Sequence, residues 1–383
     1  MKNISNLCCS ITHWTDMFNY ALTTAVISLV FSIAFLQNFA GYFCEPINSI
    51  KLENIDFFIN GHCWSKGTFY SSFTDFESVD NNTLSTSNPD YIYLYKFVPY
   101  FIILQCIIFF LPHVFWSQIC FGKKEKNLAS FVKNLQTHFD KNKAFTNEIA
   151  MESAFSLVDI LESHRKCPKG IFNVLWEKVF RNSIWNHQTG TRLVKLYIVV
   201  KALYILNSIM QLYFVKRILI GNIGIVQFYQ VILKHFIKEM PIFDHPKFPL
   251  QSFCLLKNIK VLGGQTNLFA SCTNPSNLNF QIAFKVLALW LTLTIIVNIY
   301  GFFFWLRRIG FQRMRYLYVK KLLEIRETPF KSEKNKVLHE FVNEFLTGDS
   351  IFMIRYINDE RGSFTASSIV ICLWKIFCST NYK

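Results

Sequence analysis

Charge is scarce in this chain. Only 17% of its 383 residues are Asp, Glu, Lys or Arg, against about 25% in ordinary globular proteins. Acidic residues are scarcer still, 25 against 40 basic, which leaves a net charge of +15. The shortage is uneven. Residues 17–43, 97–122 and 286–306 contain no Asp, Glu, Lys or Arg at all, and each run is as long as the roughly 20 residues a helix needs to cross a bilayer core. Other absences narrow the function. There is no Cys-x-x-Cys among the eleven cysteines, and no His pair at ligand spacing beside a Cys pair, which excludes the usual zinc modules and implies no metal. No nucleic-acid-binding motif accompanies the positive charge. The bases lie between the apolar runs, which is a membrane pattern, and no nucleic acid partner is implied. His138 with Asp140 and Asp244 with His245 are the available His–acid pairs. Neither has a Ser or Cys partner in sequence or an apolar, site-like context, so the chain does not read as an enzyme, and neither catalytic residues nor a cofactor are assigned. The runs are too few for a seven-span receptor. Paired broken helices of a transporter repeat are also missing.

What is present is apolar and aromatic: 51% hydrophobic residues and 41 Phe. The first run, 17–43, is too long for a signal peptide and lacks a small-residue cleavage site near its start. The second, 97–122, holds Pro99 in its opening turn, where the missing N–H costs little, and Pro112 deep inside, where a kink is expected unless neighbours satisfy the freed carbonyl. A third, weaker span covers 193–219. Lys201 interrupts it, and that lysine either snorkels, packs within the bundle or serves a pore. The fourth, near 285–306, is followed at once by Arg307, Arg308, Arg313 and Arg315, a stop-transfer flank. Between spans, 145–167 carries Ile149, Phe155, Val158 and Leu161 at helical spacing, an amphipathic helix. A second helix with Leu175, Trp176 and Phe180 follows. Residues 221–240 read as an amphipathic helix outside the membrane. Asn81-Asn82-Thr83 is an N-glycosylation sequon, usable if its loop is outside.

Several of these residues carry a family resemblance. Tyr95-Lys96-Phe97-Val98-Pro99, then Leu104-Gln105, then Leu111-Pro112-His113 and aromatics at Phe115 and Trp116, resembles the second membrane span of innexins, the invertebrate gap-junction proteins. Asp16, Asn19-Tyr20 and Thr23-Thr24 are similar to the lead into their first span. Cys63-Trp64, Phe248-Pro249 with Cys254, Cys272, Lys201 and the tail segment Gly348–Arg355 continue the likeness. One departure is large: the family cysteine after the first span would fall at Ser49, and a cysteine stands instead at Cys44.

The resemblance implies an all-α membrane protein with four transmembrane helices per subunit, two disulfide-stapled extracellular loops and a helical cytoplasmic domain. The expected organisation is a cytoplasmic N-terminal segment at the pore mouth (1–16), spans at 17–43, 97–120, 193–219 and 285–306, extracellular loops at 44–96 and 220–284, a cytoplasmic helical loop at 121–192 and a cytoplasmic tail at 307–383. The termini and residues 123–195 hold 28 of the 40 Lys and Arg, which favours that orientation. Cys44, Cys63, Cys254 and Cys272 then face an oxidising compartment. Three pairings are open to them; cross-loop bridges, Cys44 to Cys272 and Cys63 to Cys254, are expected, with pairing inside each loop as the alternative. The implied activity is a plasma-membrane gap-junction channel. Such a protein partners with other innexin subunits in a homo- or hetero-oligomeric ring, with a docked ring on the adjacent cell and with the lipid bilayer. Thr23, Thr24 and Ser28, with Ser32, are the candidate pore-lining residues of a weakly selective path, or else small residues of helix packing. A non-junctional hemichannel or a modifying subunit of the same family is the alternative.

Overall fold

The computed structural model describes residues 13–36, 42–46, 55–69, 91–92, 94–121, 147–165, 192–221, 224–237, 248–261, 264–325 and 335–381. The apolar runs become long helices. Helix α1 consists of Trp14–Met17, a π-helical turn Phe18–Thr23 and Thr24–Leu36; α2 is Ile55–Lys66; α3 is Leu94–Phe121. Then come α4 (Asn147–Arg165), α5 (Arg192–Leu219), α6 (Ile225–Ile237) and α7 (Ser276–Gly310). Beyond these lie α8 (Gln312–Glu324), α9 (Asn335–Glu340, running into a π turn Phe341–Phe345), α10 (Gly348–Arg361) and α11 (Ser363–Asn381). Leu29, Ile103, Ile107, Ile296 and Phe303 stand exposed on α1, α3 and α7. Large apolar side chains repeated along one helix surface need lipid or a partner against them. Helix α3 continues through Pro112 to Phe121.

The chain divides into two compact units. One comprises Phe18–Phe110 and Leu206–Ile295. It holds a five-stranded sheet in the order β1-β5-β4-β2-β3: β1 is Phe43–Pro46, β2 Thr68–Phe69, β3 Tyr91–Ile92, β4 Gln251–Val261 and β5 Gly264–Thr273. β4 and β5 form a long antiparallel hairpin, and β1 and β2 add to its two sides. Strands from sequence segments about two hundred residues apart thus share one ladder. Below it, Ile27, Phe31, Val98, Phe109, Val215, Leu219, Phe284, Leu287 and Leu291 form a buried cluster. Phe228 and Ile232 of α6, one turn apart, join that cluster, and the Tyr229 hydroxyl hydrogen-bonds to Thr292 within the uncharged run of α7. Residues 221–240 therefore do not stand away from the spans. Their apolar arc was wide enough to pack on α5 and α7.

The other unit comprises Met1–Met17, Leu111–Ile205 and Ile296–Lys383. Its core includes Trp116, Tyr197, Trp305, Leu322, Phe341, Phe352, Ile369 and Leu373. Thr347 caps α10 by accepting from the Ser350 N–H, and Asp349 Oδ1 accepts the Val194 N–H at 3.1 Å, satisfying an orphan donor at the start of α5. Gly362, at φ +86°, turns the chain from α10 into α11, a left-handed position at which a Cβ is strained. Helix α4 appears as expected, but its phase differs. Ala150, Ser153, Ala154 and Leu157 face the core, while Phe155 is exposed. Small alanines let α11 approach closely, and that outweighs the size of Phe155. The segment with Leu175, Trp176 and Phe180 lies outside the described residues.

Five helices among the described residues are long and apolar enough to cross a membrane: Trp14–Ile33, Lys96–Ser117, Leu193–Leu219, Ser276–Gly310 and Ser363–Thr380. Four match the expected spans, with the first beginning earlier than residue 17. The fifth, α11, was read as part of the tail. It packs on α4, α8 and α10, and its residues Ala366, Ile369, Val370 and Leu373 are fully buried.

Candidate functional site

Two constellations stand out. The first lies in the sheet. Cys44 on β1 is directly opposite Cys272 on β5 in register, and the two form a disulfide with a Cα–Cα distance of 4.0 Å. Cys63, in the last turn but one of α2, forms the second with Cys254 on β4 at 5.7 Å. All four are buried, with Ile59, Leu256 and Ala270 around them. The Asn60 carboxamide oxygen accepts the Cys44 N–H at 2.7 Å, tying α2 to β1. Sulfurs of Cys44, Cys63 and Cys272 lie within 4.8 Å of one another. Free thiolates at that spacing could hold a metal, but sulfurs already joined in disulfides are not ligands. Each bridge joins residues 42–69 to residues 248–273, so the sheet is one stapled body rather than two loops.

The second constellation lies at the root of α1. The Asp16 carboxylate reaches back to accept the His13 N–H at 3.1 Å, a capping-box arrangement at the helix start. Its other contacts are long-range: Tyr197 donates its hydroxyl to Oδ2 at 2.7 Å, and Lys201 donates Nζ to Oδ1 at 2.6 Å. Lys201 also donates to the Thr15 hydroxyl. Both charged side chains are only 3% exposed. Lys201 therefore packs inside the bundle as half of an ion pair and does not snorkel. Thr15 sits against Gly301, where a Cβ would come within 2.9 Å of its hydroxyl oxygen; only glycine allows α1 and α7 that approach. The His13 ring packs on Phe304 and Trp305. Burial first, then the neighbouring Lys201 charge, pushes its pKa down to about 4, so the ring stays neutral at physiological pH. Residues 13–16 are thus pinned to α5 and α7 by charge, hydroxyls and aromatic packing.

Sequence reading noticed Lys201 but not its partner. The signal was available: a single acid and a single base, each at the edge of an otherwise apolar span, must find each other where hydrocarbon solvates neither. The candidate pore row fares unevenly. Thr23 is fully buried; it donates to the Phe18 carbonyl and accepts from the Trp290 indole N–H. Its hydroxyl serves the π turn and the packing of α1 on α7, and Thr23 is a packing residue rather than a lining one. Thr24 bonds back to its own helix at Tyr20 and Ala21. Ser28 is exposed and its hydroxyl lies 3.7 Å from the Cys106 sulfur. With Ser32, Phe31, Pro99, Ile102, Ile103, Cys106 and Ile107, Ser28 lines a groove of about 590 Å³ between α1 and α3. Of the α3 motif, Val98, Pro112 and His113 are buried and Leu111 is exposed, so the motif is distributed around the helix instead of converging on one site. Asn81 and the side chain of Tyr95 lie outside the described residues.

Comparison with known proteins meets this geometry. The Innexin family model matches residues 13–377. Innexin-19 of Caenorhabditis briggsae is 22% identical over 395 aligned residues, covering 96% of this chain and 87% of that protein. Innexin unc-9 of Caenorhabditis elegans is also 22% identical, covering 95% of this chain and 91% of its own length, and Innexin-12 of the same organism is 22% identical over 95% of this chain. The match runs from the capped root of α1 to the end of α11, through all four disulfide cysteines, and the chain belongs to the innexin family.

Proposed function

We propose that this chain is a subunit of an oligomeric gap-junction channel that passes ions and small molecules between adjacent cells with weak selectivity. Innexins are channel proteins, not enzymes, and the chemistry on the page is that of assembly: no covalent step is involved. The observation that carries the reading is the doubly bridged sheet. It draws strands from both inter-span segments into one rigid face, as docking to a ring on another cell requires. A single subunit encloses no wide aqueous path, whereas a closed ring of copies, alone or with other innexins, does.

Four spans, formed by α1, α3, α5 and α7, place both termini on the cytoplasmic side and the sheet outside, where disulfides persist. The packing of α11 supports four rather than five. Its partner α8 carries Arg313, Arg315, Lys320, Lys321 and Glu324, and such a surface belongs outside hydrocarbon. Residues 1–16 reach the pore mouth, and 121–192 with 307–383 form the cytoplasmic helical part. Ser28, exposed on α1, is the remaining candidate for the lining.

The hemichannel alternative drew its support from the displaced Cys44. Pairing of Cys44 with Cys272 keeps both bridges, which favours the junctional reading. Paired cells expressing this chain alone provide the test. Junctional current and dye transfer are the expected result; uptake into single cells without transfer between pairs would reverse the assignment. A tag after Lys383 should be reachable only in permeabilised cells.

A further inference from the structure

A cluster of charge beyond the end of α7 has no part in the reading above. Arg355, on α10, is 4% exposed. Its guanidinium lies 3.9 Å above the Tyr318 ring of α8 and donates one long hydrogen bond, 3.4 Å, to the Met314 carbonyl. Its Nε–H is buried with no acceptor, and so is the Tyr318 hydroxyl. One turn along α10, Asp359 is already held by both terminal nitrogens of Arg308, at 2.9 and 3.3 Å. Arg308 in turn lies over Phe304 and Trp305, at the end of the uncharged run of α7. Two guanidiniums therefore share one carboxylate, and two further donors are left over. Burial, and then Arg308, pulls the Arg355 pKa down to about 10, the mark of a cation short of negative charge.

We propose that Arg355, Tyr318 and Arg308 form a binding site for a phosphate group. Buried guanidiniums are costly unless paired. A phosphate oxygen accepts from Nε–H and from the phenol together, and guanidinium forks match it. A carboxylate of this chain does not supply the match, because Asp359 is spent on Arg308. The chemistry is that of a phosphate monoester, whether on a lipid headgroup at the membrane face or free in solution. The site rests on side chains of one unit and is independent of the channel assignment.

The full-length protein in detergent, titrated with inorganic phosphate at constant ionic strength against chloride, should show a saturable rise in Tm. The same protein in phosphatidylcholine nanodiscs, with and without a minor fraction of phosphatidylinositol bisphosphate, reports the lipid source. A response to phosphate alone identifies a free anion; a response to the lipid alone identifies a headgroup. Tyr318→Phe keeps the ring under Arg355 and removes only the hydroxyl, and should weaken binding about tenfold, as should Arg308→Gln. Asp359→Asn removes the competing carboxylate and should tighten it. Opposite signs for Tyr318→Phe and Asp359→Asn are what a purely structural cluster would not produce. If neither probe shifts the wild-type Tm, or if all three variants respond as wild type does, the site does not exist.

Discussion

The sheet and the root of α1 are both buried, both built from residues far apart in sequence, and held by opposite means. The sheet is closed by two covalent bridges, at sequence separations of 228 and 191 residues, and its strands pair through the backbone. The root is closed by an ion pair, a phenol, a hydroxyl and a glycine contact, all reversible. A surface that must keep one shape against a partner suits the first kind of closure. A segment that must stay in place but be releasable suits the second. The same chain therefore carries a part that answers to reductant and a part that answers to charge.

That contrast can be broken from either side. Lys201→Met leaves the Asp16 carboxylate buried and unpaired, and should cost roughly 3–5 kcal/mol; adding Asp16→Asn should recover most of it, measured as the midpoint of thermal unfolding. Recovery would mark a pair, whereas additive losses would mean two unrelated sites. Cys63→Ser should cost about 2–5 kcal/mol and abolish junctional current, with the helical far-UV signal retained. A membrane-impermeant reductant should act on wild type in the same direction and leave a Cys63→Ser, Cys254→Ser, Cys44→Ser, Cys272→Ser variant unchanged. Gly301→Val drives a side chain into Thr15 and should cost about 1–3 kcal/mol, read as a fall in Tm that Thr15→Ala partly relieves.

The smallest effect sharpens the comparison by pH. His13 has a folded pKa of about 4 against its ordinary 6.5. Above 6.5 it is neutral folded or unfolded, and its contribution is complete. Between 6.5 and 4 the unfolded chain takes up a proton that the folded root refuses, so stability falls as pH falls through that window and levels off below it. His13→Phe should flatten that slope, with the sheet indifferent. An unchanged slope in the variant would remove His13 from the account.

Much of the fold was legible because hydrocarbon imposes length and the absence of charge on a span. The runs 97–122 and 286–306 became α3 and α7 for that reason. α11 was less legible: its composition, with Lys375 its only charged residue, resembles a span, and only its docking on α4, α8 and α10 distinguishes a buried tail helix from a membrane one. The face of α4 was misjudged because size favours Phe155, while closeness of approach favours Ala150 and Ala154. Thr23 was assigned to a row by spacing alone, and spacing does not say that Trp290 lies opposite. Of the candidate residues, cysteines were the most readable, since their chemistry leaves few partners.

By itself, the order of residues determined where the chain could not be in water, which ends are basic, and which cysteines were available to each other. These follow from local composition, because solvation acts on each segment separately. The partner of Lys201, the glycine contact beneath Thr15, the face that α4 buries and the excess guanidinium of Arg355 were decided only in three dimensions. Each depends on two surfaces meeting from distant parts of the chain, and a buried charge or a close approach has no energy to read until its neighbour is in place.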